Sequence, residues 1–183
     1  MKHLLAITAA LSALALGACD KKSDQPRTAE QVVAEAGELA QPLPGQYETK
    51  VKLLDFSVPG LPAAQADKIK SMMGNVGGQT TTYCLTPAEA KKGFEDSIRK
   101  MGEGQGGLKC AFDTFDVDGA KLAAEMTCTG AQGIQSTMKL DGTATAESTS
   151  MHMAMTQKAT MIPGGEMRME MQMDSHRTGD CTS

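Results

Sequence analysis

The 183-residue chain has no tryptophan, only two tyrosines and four phenylalanines, and no block of basic residues; its formal net charge is −4. Such a chain lacks both the cationic patch and the stacking aromatics of nucleic-acid binding, so no nucleic-acid partner is expected. Its five cysteines form no CxxC or CxxCH and have no Cys/His ligand spacing. That argues against dithiol redox catalysis, covalent haem and a structural zinc site. The glycines of Gly102–Gly107 do not have phosphate-binding spacing between a strand and a helix. No GxSxG elbow is present either, and although Asp174-Ser175-His176 has the residue types of a hydrolytic triad, in a strand Ser175 points away from both neighbours. No cofactor is expected and no catalytic residue is assigned.

What is present begins at the N-terminus. Lys2 precedes an apolar stretch from Leu4 to Leu16, and Leu16-Gly17-Ala18-Cys19 ends it with small residues before a cysteine. This is the pattern of a secretory signal peptide. The small residues before Cys19 resemble the lipobox of bacterial lipoproteins, which implies removal of residues 1–18 and diacylation of Cys19. A transmembrane helix is the weaker reading, because the run of about 15 residues is followed at once by Asp20, Lys21 and Lys22 and falls short of the roughly 20 residues that span a bilayer. Two acyl chains anchor a protein stably where one binds only marginally. The expected product is an exported protein held by its lipid on the inner or outer membrane and facing the periplasm. Asp20 resembles the inner-membrane retention signal of enteric lipoproteins, but the choice of membrane stays open.

With Cys19 taken by lipid, Cys84, Cys110, Cys128 and Cys181 remain. An even number in an oxidising compartment predicts two disulfides.

Residues 19–43 are read as lipidated cysteine and flexible tether, with Thr28-Ala29-Glu30-Gln31 as a capping box for transient helix, and residues 44–183 as one domain. A strand runs from Gly45 through Val51, Leu53 and Phe56 to the turn Pro59-Gly60. Helical spacing follows from Pro62 to Met73, then a strand from Gln79 to Leu85. Thr86-Pro87-Ala88-Glu89 starts the strongest helix signal, with Ala90, Phe94, Ile98 and Met101 on one face.

From Leu108 on, the period is two. Asp118-Gly119 reads as a hairpin turn between Cys110–Val117 and Lys121–Cys128. That turn sets Cys110 across from the neighbourhood of Thr127 and Cys128, so Cys110 is paired with Cys128 and, by elimination, Cys84 with Cys181. Further strands are read at Ile134–Leu140, closed by Asp141-Gly142, at Thr145–Thr160, and at Glu166–Asp174 after Pro163-Gly164-Gly165. The fold class is α+β, mainly antiparallel β: one curved meander sheet of about seven strands with two helices inserted before the third, or alternatively a small closed β-barrel.

Pro44-Gly45-Gln46-Tyr47, Tyr83-Cys84-Leu85-Thr86-Pro87, the aspartate-glycine hairpin after Cys110, Met126-Thr127-Cys128-Thr129-Gly130 and the cysteine near the C-terminus together resemble a family of bacterial envelope proteins called domain of unknown function 3617. The resemblance covers about Pro44 to Cys181. It implies an exported domain with paired cysteines and implies no activity.

Two constellations need weighing. Thr114, Asp116, Asp118, Gly119 and Glu125 have EF-hand-like spacing, but the first ligand position is a threonine and the flanks alternate as strands, so a turn is the better reading. Methionine is the strongest oddity, with 14 residues. Met151, Met153 and Met155, and then Met167, Met169, Met171 and Met173, each fall on one face of a strand. The expectation is a core face in which methionine replaces leucine and valine under helices Pro62–Met73 and Pro87–Met101. The same residues are the candidates for a Cu(I) site, since thioethers select that ion. His152 and His176 are read as exposed polar residues, and the pairs Glu30/Glu35, Glu89/Glu95 and Glu166/Glu170 as solvated faces. The expected function is a non-enzymatic, lipid-anchored binding or scaffolding module for a protein or hydrophobic ligand. A methionine-rich Cu(I)-handling lipoprotein and an envelope hydrolase are the alternatives.

Overall fold

The computed structural model describes residues 26–78, 80–103 and 107–182. Seven strands form one antiparallel sheet: β1 (Gly45–Ser57), β2 (Thr80–Leu85), β3 (Lys109–Asp118), β4 (Lys121–Thr129), β5 (Gln135–Ala144), β6 (Ser148–Lys158) and β7 (Glu166–Gly179). Their spatial order is β2-β1-β7-β6-β5-β4-β3, which makes β2 and β3 the edge strands among the described residues. The sheet is therefore open, and the closed-barrel alternative falls. Helix α1 (Ala29–Ala36) precedes β1, α2 (Ala63–Gly77) joins β1 to β2, and α3 (Pro87–Lys92) and α4 (Glu95–Glu103) join β2 to β3.

The helix expected over Pro87–Met101 is two helices. Thr86 caps the first as the sequence predicts: its hydroxyl accepts from the Glu89 amide at 3.3 Å, and the Glu89 carboxylate accepts from the Thr86 amide at 2.9 Å. Gly93 then takes a positive φ of 58°, a conformation cheap only for glycine, and the chain restarts as α4 in a new direction.

Part of the segment expected as tether is packed structure. Thr28 and Gln31 complete their capping box, and Val32 on α1 is fully buried. The Arg27 amide donates to the Phe112 carbonyl at 2.7 Å, and its guanidinium pairs with Glu35. Val32, Ala36 and Leu39 form one core with Ile98 of α4 and the inner faces of β3, β4, β5 and β6. An amphipathic helix this short is marginal alone and owes its existence to that packing.

A β-bulge decides which β3 residues face inward. Phe112 lies opposite Met126 and Thr114 opposite Glu125, so Asp113 is the extra residue, and it accepts a hydrogen bond from Thr127 at 2.6 Å. Strict alternation would put Phe112 and Phe115 on opposite faces; the bulge puts both inside, 3% and 2% exposed, in edge-to-face contact. It also sets the disulfide register. Asp118 lies opposite Lys121, so the turn alone would bring Thr129 to Cys110; the extra residue brings Cys128 there instead, and Cys110–Cys128 forms. Cys84–Cys181 forms as well, joining β2 to a cysteine two residues past the end of β7.

Asp141-Gly142, expected to close β5, lies within it. A Cβ at Gly142 would sit 2.0 Å from the Ser150 carbonyl of β6, so this glycine serves a close backbone approach within the sheet. The turn comes three residues later, where the Thr145 hydroxyl accepts from the Glu147 and Ser148 amides.

Candidate functional site: an apolar cavity on the inner sheet face

Register places the methionines in rows that cross the sheet. Phe112, Met126, Met138, Met155, Met169 and Phe56 form one row. The next contains Phe115, Ala124, Leu140, Met153, Met171 and Leu53, and the next Val117, Leu122, Gly142, Met151, Met173 and Val51. Directly opposed side chains on one face of an antiparallel pair lie within contact distance, so Met151 meets Met173, Met153 meets Met171, and Met155 meets Met169.

The helices cover these rows unequally. α1 and α4 lie over the β3 side, and the core they close reaches Met126 on β4 and Met151 on β6, both buried, whereas α2 packs against β1 and Met173 is 39% exposed. The expectation that both helices bury both methionine strips holds only for the start of the β6 strip. The β7 strip is half-buried to exposed, because α3 and α4 turn at Gly93 toward β3 and α2 stays near the β1 edge.

Between the helices and the sheet this uneven cover leaves a cavity of about 660 Å³. Ligand sites commonly fall between about 300 and 1,000 Å³. Phe94, Ile98 and Met101 of α3–α4 and Leu39 after α1 wall it on one side; Met126, Met138, Leu140, Met151, Met153 and Met173 form its floor; Tyr47, Tyr83, Thr49, Thr81, Thr149 and Ser175 stand at its β1–β2 end. Among the described residues its lining contains no Lys, Arg, His, Asp, Glu or Cys. The tyrosine rings stack with centroids 5.6 Å apart. Tyr47 donates its hydroxyl to the Leu43 carbonyl at 2.8 Å, with that of Ala146 at 3.2 Å, and burial first, then Tyr83, pushes its pKa above the usual tyrosine value.

Other predicted residues do not converge. Ser175 faces inward and accepts a hydrogen bond from Thr49 at 2.8 Å, while Asp174 is exposed and accepts from Ser150 at 2.6 Å and from Gln172 at 3.0 Å. Those two donors, Ser150 first, hold the Asp174 carboxyl below its ordinary pKa. His176 is exposed in the same strand, so the three triad residue types are not assembled. His152 is half-buried and lies between Asp141, at 3.2 Å, and Glu170, at 3.7 Å. The EF-hand-like residues are parts of the β3–β4 hairpin, with Thr114 opposite Glu125 and Asp116 near Arg27 at 3.9 Å. Among the described residues no group of three or more His, Cys, Asp or Glu is placed to hold a metal ion. No helix among them is long and apolar enough to cross a membrane, and Cys19 lies outside them.

Sequence reasoning weighed the methionine strips as a surface for a hydrophobic ligand but missed the cavity between sheet and helices and its hydroxyl-lined end. The only advance signal was a mismatch: seven strands of inner face with short helices to cover them. No curated protein and no solved structure matched the chain. The family model described as protein of unknown function (DUF3617) matches residues 42–181, from just before β1 to the second disulfide, and the chain belongs to that family.

Proposed function

We propose that this is a non-enzymatic envelope lipoprotein, anchored by acylated Cys19, whose domain binds a hydrophobic ligand in the cavity under α1 and α4. The observation that carries the reading is a sizeable cavity with an apolar floor and no acid, base or nucleophilic cysteine in its lining. A hydrolase needs convergent titratable groups at the place where substrate sits, and this lining offers only tyrosine and aliphatic hydroxyls.

The test is uptake of an uncharged fluorescent linear probe, methyl cis-parinarate, by the oxidised full chain. Ser97 is exposed on α4 and lines the cavity. Ser97→Trp should plug the mouth without entering the core, and probe binding should fall at least tenfold at unchanged melting temperature. Equal binding by the two proteins would sink the cavity as the site. Anchoring is tested separately: mass spectrometry should find two acyl chains' mass on Cys19 of the membrane-extracted protein, and Cys19→Ser should lose it.

A second reading, Cu(I) handling, is favoured by one observation: three pairs of methionines face each other across β6 and β7. Titration with Cu(I) against a competing chelator decides it, since tight stoichiometric binding lost in Met153→Leu/Met171→Leu would require thioether ligation.

A further inference from the structure

The shape of the cavity and the position of its hydroxyls narrow the ligand, on the reading that the cavity binds one. Its lining runs diagonally across the sheet, from Phe112 and Met126 on β3 and β4 to Tyr47 and Tyr83 on β1 and β2. The row of Met126 reaches β7 at Met169, and Tyr47 lies opposite Arg177 of the same strand. The eight steps from Met169 to Arg177 cover about 27 Å along the strands at roughly 3.4 Å each, and the four inter-strand spacings from β4 to β1 add about 19 Å across them, a diagonal of about 33 Å. A volume of about 660 Å³ spread over that length has a mean cross-section of only about 20 Å² by the same strand spacings. A trough several times longer than it is wide takes a hydrocarbon chain lengthwise and fits a compact ligand poorly.

Its two ends differ in chemistry. Phe112, Met126 and Met138 make one end wholly apolar. At the other, Thr49 donates to Ser175, which leaves the Ser175 hydroxyl proton to be donated onward, and the side chains of Thr81 and Thr149 have no hydrogen-bond partner among the described residues. No cation lines the cavity. Arg177, the nearby cation opposite Tyr47, is already held by the Pro44 carbonyl and Asp180, so a carboxylate or phosphate placed there would give up part of its hydration for hydroxyl donors alone, which disfavours it.

We infer that the ligand is a single linear hydrocarbon chain with an uncharged hydrogen-bonding head, such as a hydroxyl or ester, the chain lying along the methionine floor and the head among Thr49, Thr81, Thr149 and Ser175. An alcohol series should tighten about fourfold per added methylene, from the transfer free energy of a buried CH₂, until the trough is filled.

The experiment is displacement of methyl cis-parinarate, a fluorescent linear polyene ester, from the oxidised full chain by monooleoylglycerol, oleate at pH 8 and a rigid sterol, each below its aggregation threshold, repeated with Thr81→Lys. Monooleoylglycerol should displace the probe at least tenfold more tightly than either competitor. Because Thr81 is exposed, the lysine variant should fold, and its new cation should shift the oleate to monooleoylglycerol preference at least tenfold toward oleate. Oleate equal to monooleoylglycerol in the unmodified chain, or no shift with the lysine, overturns the head-group assignment and leaves the cavity reading intact. A sterol that binds as well overturns the single-chain assignment. If neither probe nor alcohols bind, the cavity reading fails, and this inference with it.

Discussion

The two disulfides should contribute unequally to stability, and their order can be worked out before any measurement. Cys84 and Cys181 are 97 residues apart, Cys110 and Cys128 only 18. If a cross-link acts by restricting the unfolded chain, its entropy scales with the logarithm of the loop it closes, which gives about 4.7 kcal/mol for the first bond and about 3.2 kcal/mol for the second at 25 °C. The family match spans residues 42–181, and at about 2.1 cal/mol/K per residue the corresponding melting shifts are about 16 and 11 °C. Alanine is the replacement of choice, because Cys128 is buried and a serine hydroxyl there would add its own desolvation cost. Calorimetry of Cys84→Ala/Cys181→Ala and Cys110→Ala/Cys128→Ala gives the comparison. Hydrogen exchange should show the difference in kind as well. β2 is an edge strand held to β1 by six residue pairs, so its amides should lose protection first when Cys84 is freed. The reasoning is refuted if the Cys110/Cys128 variant melts at or below the temperature of the Cys84/Cys181 variant.

Met151→Ala should cost about 2–5 kcal/mol, as truncation of a buried methionine does, while Met173→Ala at the exposed end of the β7 strip should cost only about 1–2 kcal/mol by its smaller buried area; urea denaturation of the two variants checks the ranking. Gly142→Ala drives a methyl into the Ser150 carbonyl and should destabilise by about 1–3 kcal/mol or more, read in the same assay, whereas alanine at a mere turn glycine with open space would be far milder. Asp174 titrates below its ordinary value in the folded protein, so its contribution is present above the unfolded pKa of about 3.9 and is lost as pH falls through the lower folded value. In carboxyl NMR, Ser150→Ala should raise the Asp174 midpoint, and no movement would show that the hydroxyl is not its main partner.

Much of the architecture was legible because it rests on local chemistry. Two capping boxes, Thr28/Gln31 and Thr86/Glu89, mark two of the helix starts, and period-two spacing places most strands. What failed failed for nonlocal reasons. Asp141-Gly142 has turn composition, but its glycine answers to a neighbouring strand that no single-segment pattern contains. The Asp113 bulge hides behind apparent alternation, because Phe112 and Phe115 look out of phase until one residue is set aside. Helix α1 looked like tether because only tertiary packing rewards it. The cavity was invisible for a related reason: methionine alternation fixes which face the side chains take, and says nothing about how much of that face the helices reach. The direction of α4 after Gly93 decides that, and one glycine in a helical pattern does not foretell a redirection.

The position of β1 bears on the order of assembly. As the first strand of the chain, it is hydrogen-bonded to the last one through eleven residue pairs, from Gln46 opposite Gly179 to Ser57 opposite Arg168. β3 to β6 meet their partners through short turns and can zip as each emerges. β1 and β2 can pair with each other but cannot join the rest of the sheet until residue 166 and those after it exist, and pairings of such high sequence separation put the domain among slow folders, on the scale of milliseconds to seconds. A nascent or translocating chain that stops at Gly165 would therefore present β6 as a bare edge, with Met151, Met153 and Met155 on one face and nothing beside it, which is a template for joining another copy. Completion of β7 removes that edge and seats β1 in one event. The C-terminal fourteen-residue strand is thus the clasp that turns a string of hairpins into a domain.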